Sequence, residues 1–191
     1  MSRHSALSNV LEPHWRMLDA GRPVGVPARL YPWLADRGSL TRQVTCACPG
    51  QFRVLVRAQG WGRVLNSERK ALGMQRGGLA LIREVELQCD GEPWVFARTV
   101  IPAGSLKGRA RRLSLLGDRP LGAVLFADPS TVRGCMEAAR FDDRHALFQG
   151  ACGHWATPPS RLWGRRTLFC YQGKPLLVNE IFLPDTPAFP A

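Results

Sequence analysis

Leu81-Ile82-Arg83-Glu84-Val85-Glu86-Leu87-Gln88-Cys89-Asp90-Gly91-Glu92-Pro93-Trp94 reads as a strand, a tight turn and the start of a returning strand. Successive side chains of an extended chain point to opposite faces, so Leu81, Arg83, Val85, Leu87 and Cys89 share one side. Asp90-Gly91 is a strong hairpin signal, and Trp94 to Ile101 comes back as the antiparallel partner. Upstream, Ser39 is a good N-cap for a helix through about Cys48, which Pro49-Gly50 stops, and Gln51 to Arg57 alternates like a strand before a bend at Gly60-Trp61-Gly62. Downstream, Ser105 can cap a helix ending near Gly117. Pro120 opens a short helix from Leu121 to Ala127, which Asp128-Pro129 breaks. A last hairpin runs from Arg166 to Tyr171, turns at Gln172-Gly173-Lys174, and continues from Pro175 to Leu183. Phe141 to Ser160 has no clear period and reads as an irregular excursion. With 191 residues and 45% hydrophobic content the chain is sized for one core, and the mixture of antiparallel strands and helices places it in the α+β class.

Charges on apolar faces carry the functional signal. Arg83 lies on the greasy side of its strand while Glu84 and Glu86 point the other way, so neither neighbour can neutralise it, and a buried unpaired cation is very costly. In the last strand, Leu176, Val178, Glu180 and Phe182 share a face, which turns the Glu180 carboxylate inward as well. Either Arg83 and Glu180 satisfy each other, or they flank a polar ligand inside an apolar cavity. Arg98 shares a face with Trp94 and Phe96 and reads as a structural arginine.

Composition narrows the alternatives. The formal charge of +11 raises the question of nucleic acid, but Arg109, Arg111, Arg112 and the pair Arg165-Arg166 form short, scattered clusters that read as solvated surface. No nucleic-acid partner is expected. No apolar run approaches a membrane span, and Met1 to Arg22 lacks a secretory pattern, so a cytoplasmic protein without stable membrane insertion is expected. In that compartment the six cysteines are read as reduced thiols. Cys46 and Cys48 are too close in sequence, and Cys152 with His154 too sparse, for a zinc site, so no metal is expected. His145 and His154 read as bystanders of the excursion, and no nucleotide-binding or hydrolase motif is present.

Taken together, Arg83-Glu84, Cys89-Asp90-Gly91-Glu92-Pro93-Trp94, Arg98-Thr99-Val100-Ile101-Pro102, Pro120-Leu121-Gly122, Leu162-Trp163-Gly164-Arg165-Arg166, Gly173-Lys174-Pro175-Leu176-Leu177 and Glu180-Ile181-Phe182-Leu183-Pro184 resemble the chorismate pyruvate-lyase family. The resemblance runs in order from about Leu30 to Phe189. It implies a single domain over residues 1–191, with residues 1–22 as an extension and residues 141–160 as the excursion. The implied fold is an antiparallel sheet of about six strands with helices and a flap-covered internal site. The implied activity is cofactor-free elimination of pyruvate from chorismate to give 4-hydroxybenzoate, the first committed step of ubiquinone biosynthesis. Position by position, the family's carboxylate-binding arginine falls on Arg83, its buried glutamate on Glu180, and a leucine that meets product through its backbone on Leu121. The family's flap sequence Ser-Met-Thr appears here as Ser39-Leu40-Thr41, which transfers the methionine's ligand contact to Leu40. A monomer is expected. The rival reading is a non-catalytic sensor of small aromatic acids on the same fold.

Overall fold

In the computed structural model, which describes residues 11–189, the chain runs through β1 (Arg16–Met17), α1 (Tyr31–Ala35), α2 (Leu40–Ala47), β2 (Phe52–Gly62), α3 (Asn66–Ala71), β3 (Ala80–Cys89), β4 (Glu92–Pro102), α4 (Leu121–Ala127), β5 (Val132–Phe141), α5 (Ala146–Cys152), β6 (Leu162–Tyr171) and β7 (Lys174–Phe182). The strands form one antiparallel sheet in the order β1-β5-β6-β7-β4-β3-β2. Six of them are long, and the two-residue β1 extends the edge beyond the expected number. The class is α+β, as the sequence indicated.

Two hairpins set the register of the centre. At Asp90 (φ 50°) and Gly91 (φ 88°) both turn residues have positive φ, as a turn matched to strand twist requires. Asp90 also clasps the start of β2, its Oδ1 accepting from Gln51 N at 2.7 Å. The β6–β7 turn contains Gln172 (φ 51°) and Gly173 (φ 69°), with Tyr171 opposite Lys174, so it is one residue shorter than the sequence reading. That difference decides which β6 residue faces Glu180.

Several elements depart from expectation. The bend expected at Gly60-Trp61-Gly62 is part of β2, where Trp61 pairs with Leu81, and the irregularity falls earlier, between Val56 and Ala58. Ser105 caps no α-helix. It ends a 3-10 turn (Ala103–Ser105) followed by a 3-10 segment (Gly108–Leu115), and its hydroxyl donates to the Pro175 carbonyl at 2.7 Å. The excursion contains α5, which buries Leu147, Phe148, Ala151 and Cys152, a helical stripe too short to stand out among the surrounding Gly and Pro. The described part of the extension is likewise anchored: Trp15 packs edge-on against Phe141 with centroids 5.5 Å apart and lies 4.3 Å beneath the Arg166 guanidinium. Of the basic pairs expected on the surface, Arg165 and Arg166 are buried.

Both faces of the sheet are covered. On one, Phe96, Ala139, Phe141 and Ile181 pack under α5, while Ile82, Val100 and Leu177 meet Leu72 beyond α3. Arg98 belongs to this side. It bonds Glu68 at 2.9 Å and Glu84 at 2.7 Å, and these carboxylates outweigh burial to raise its pKa, so its role is structural through ion pairs rather than aromatic stacking. The other face carries Val85, Leu87, Ala97 and Val178 and is roofed by α2 and α4. On the α5 side, strands β6 and β7 approach so closely that a Cβ on Gly164 would lie 2.7 Å from the Glu180 carbonyl oxygen and 2.5 Å from Ile181 Cδ1.

The cysteines correct the reading of reduced thiols. Cys48, at the C-terminus of α2, forms a disulfide with Cys89 at the end of β3, across a Cα–Cα distance of 5.6 Å. The pair escaped notice because spacing alone does not show that α2 ends above the β3 terminus. With a sequence separation of 41, the chain-entropy relation assigns this link about 4 kcal/mol of stability. Reduction, or Cys48→Ser, is expected to lower the unfolding free energy by up to that amount in urea melts, with α2 opening first in hydrogen exchange.

Candidate active site

Under α2 and α4 lies a cavity of about 60 Å³. Its walls are apolar, from Leu40, Val85, Leu121, Leu125, Phe169 and Val178, and its charged lining residues are Arg83, Arg133 and Glu180.

Arg83 is 2% exposed. Its partners are neutral oxygens: Nη1 donates to Gly117 O at 2.8 Å and Gln59 Oε1 at 3.2 Å, and Nη2 to Arg119 O at 3.2 Å. Burial lowers its pKa from the ordinary arginine value, with Asp118 opposing from a distance. As the alternation implied, the flanking acids are engaged elsewhere, Glu84 with Arg98 and Glu86 with Arg57.

Of the two arrangements left open for Arg83 and Glu180, mutual pairing is excluded. Arg83 stands opposite Thr99 on β4, and Thr99 opposite Val178 on β7, whereas Glu180 stands opposite Ala97. The two charges therefore share a face two strands and two residues apart, roughly 10 Å across the sheet at ordinary strand spacing. Glu180 pairs instead with Arg165, directly across on β6, whose Nε donates to Oε2 at 2.6 Å. Arg165 is 1% exposed and also ties down the end of α1, donating through Nη1 to the carbonyls of Trp33 (2.9 Å), Leu34 (3.2 Å) and Asp36 (2.7 Å). One guanidinium thus fixes both the inward carboxylate and the segment leading into α2.

Leu40 and Leu121 both line the cavity, each as the first residue of its helix, where a backbone N–H has no intrahelical acceptor. Ser39 caps α2 as expected, accepting from Arg42 N at 3.3 Å. The helices meet over Gly122, where an added Cβ would lie 3.1 Å from Ser39 Oγ.

Arg133 is a lining residue that sequence reasoning missed. Its guanidinium carbon sits 5.2 Å from the Phe126 ring centroid on α4 and 4.8 Å from that of Phe169 on β6, and Nη2 donates to Gly38 O at 2.9 Å. Burial, reinforced by the charge of Arg165, pulls its pKa down to about 10. His145 and His154 do not line this cavity.

Asp128 closes α4 and ties it to the β6–β7 turn. Bonds from the Ser130 hydroxyl and N–H, then from Gln172 Nε2, draw its pKa down to about 2 against some desolvation. A depressed carboxylate contributes stability that is complete above its unfolded pKa of about 4 and is lost as pH falls through the folded value. Between pH 4 and 2, Asp128→Asn is therefore expected to flatten the fall of melting temperature with acid seen in the parent.

Fold and cavity together define an α+β domain with an internal pocket of mixed charge beneath two short helices. The chain belongs to the chorismate lyase family, whose model matches residues 18–189. A probable chorismate pyruvate-lyase of Methylococcus capsulatus is 44% identical over 83% of this chain and 96% of its own length. That of Aromatoleum aromaticum is 45% identical, covering 83% and 86%. Among solved structures, the effector domain of PhnF from Mycobacterium smegmatis superimposes with a TM-score of 0.51 at 19% identity over 78% of this chain and 90% of that one, a likeness of fold alone.

Proposed function

We propose that this chain eliminates pyruvate from chorismate and forms 4-hydroxybenzoate, with Arg83 holding the ring carboxylate and Glu180 at the hydroxyl end of the ring. The observation that carries this reading is a buried guanidinium with no carboxylate of its own, facing the same cavity as a glutamate already paired to a different arginine. Arg83 has the planar donor geometry for a bidentate carboxylate bond, and an incoming anion offsets the desolvation cost of its buried guanidinium. The Arg165 bond uses Oε2 of Glu180, which leaves Oε1 for the substrate hydroxyl.

In the reaction the C4–H bond of the ring breaks, its electrons form the C3–C4 double bond, and the C3–O ether bond breaks with the electron pair leaving on enolpyruvate. Aromatisation drives the step. The C4 proton ends on the enolpyruvyl methylene carbon of the departing group, either directly or through Glu180 as carrier, so no external acid, base or redox partner is consumed. The apolar walls exclude water, and the backbone N–H groups of Leu121 and Leu40 are further donors for the ring carboxylate end or the reacting oxygens. The protein acts as a cytoplasmic monomer without metal or cofactor, at the first committed step of ubiquinone biosynthesis. Among its described residues no helix is long and apolar enough to cross a membrane.

A site this complementary to an aromatic acid retains its product, so 4-hydroxybenzoate is expected to inhibit competitively. Following the ultraviolet absorbance of chorismate tests the reading: enzyme-dependent loss, slowed by added 4-hydroxybenzoate through KM alone, supports it, and no loss above the spontaneous rate defeats it.

A further inference from the structure

We infer that Arg133 binds the second carboxylate of the substrate, the one on the enolpyruvyl ether, and so distinguishes the dianionic substrate from the monoanionic product. This rests on the lyase reading above and adds a specificity residue to it. The charge inventory of the cavity is the starting point. Glu180 is compensated by Arg165, which leaves Arg83 and Arg133 as lining cations with no carboxylate bonded to either. Chorismate brings two carboxylates and 4-hydroxybenzoate one.

The way β5 delivers Arg133 points the same way. Arg133 pairs with Phe169 and Met136 with Thr167, so three steps along β5 match two along β6, a bulge. Without the extra residue, alternation would place Arg133 on the face opposite Met136. With it, both face the cavity side, and the bulged Gly134 lets the backbones approach, since a Cβ there would lie 3.1 Å from Leu168 O. The side chain delivered is under-satisfied. Nε is buried with no hydrogen-bond partner, Nη1 has only the Met136 sulfur at 3.5 Å, and Nη2 has one carbonyl, that of Gly38. Phe126 and Phe169 hold the guanidinium plane in place, a role that a lysine ammonium cannot fill. A buried donor without an acceptor is costly to keep, and a carboxylate accepting from Nε would satisfy it.

The test compares ligands that differ by one charge. In Arg133→Gln, KM for chorismate is expected to rise 10- to 100-fold while the inhibition constant of 4-hydroxybenzoate changes less than threefold. Arg83→Gln, by contrast, is expected to weaken 4-hydroxybenzoate binding itself. Parallel changes in the two constants, or no change in either, would overturn the assignment. Should the glutamine variant not fold, the parent protein answers alone: 3-(carboxymethoxy)-4-hydroxybenzoate should bind at least tenfold more tightly than its side-chain amide, and equal binding would overturn the proposal. This binding comparison needs no turnover, so it separates a wrong role for Arg133 from a wrong lyase assignment, in which the parent would leave chorismate intact.

Discussion

Arg83→Gln is expected to abolish measurable turnover and to weaken 4-hydroxybenzoate binding by two to three orders of magnitude, about 3–4 kcal/mol, the usual cost of truncating one partner of a buried charge pair. Two effects on stability oppose each other. Removing the guanidinium leaves the Gly117 and Arg119 carbonyls without a donor, yet it also removes a buried cation that no carboxylate of the protein bonds. The net change in unfolding free energy is therefore expected to stay under about 2 kcal/mol, so activity is lost from a folded protein. Arg83→Lys should rescue little, because a point charge on a flexible stem cannot reproduce the fork that reaches two carbonyls and a ligand carboxylate together. Calorimetric titration with 4-hydroxybenzoate alongside a thermal melt reads both quantities; a variant that binds product normally would remove Arg83 from the site.

Arg165→Met should act in the opposite sense, through the fold. It strands the Glu180 carboxylate in the interior and takes the donor from three carbonyls at the end of α1. Breaking a buried ion pair from one side costs about 3–5 kcal/mol, a large share of the stability of a domain this size. The double variant Arg165→Met/Glu180→Leu is expected to recover part of that loss, since a pair replaced by apolar groups is close to neutral, while the α1 carbonyls stay unsatisfied. Urea denaturation of the parent, both single variants and the double closes the cycle. Full recovery in the double would mean that the α1 bonds contribute nothing.

Much of this was legible in the chain because local rules and tertiary structure agree. Asp90-Gly91 fixes β3 against β4, Ser39 starts α2, and Pro120 precedes α4, all as turn and cap chemistry dictate. The inward charges of Arg83 and Glu180 followed from alternation alone. What was missed depends on register or on contacts distant in sequence. Reading the last hairpin with a three-residue turn hid the fact that Arg165 lies opposite Glu180, although Gln172-Gly173 is itself a two-residue turn signal. Arg133 was invisible because the β5 bulge breaks the alternation by which inward residues are found. The Cys48–Cys89 link joins ends of elements whose juxtaposition no local pattern records. The short apolar stripe of α5 lay among glycines, histidines and prolines that suggested only loop.

The central claim is the chemistry, and one measurement addresses it most directly: purified protein incubated with chorismate, with 4-hydroxybenzoate and pyruvate quantified together against an Arg83→Gln control. Equal amounts of both, far above the control, are what the elimination requires. Neither product above the control, with 4-hydroxybenzoate still bound in a parallel titration, would contradict the lyase and leave an aromatic-acid sensor on the same fold.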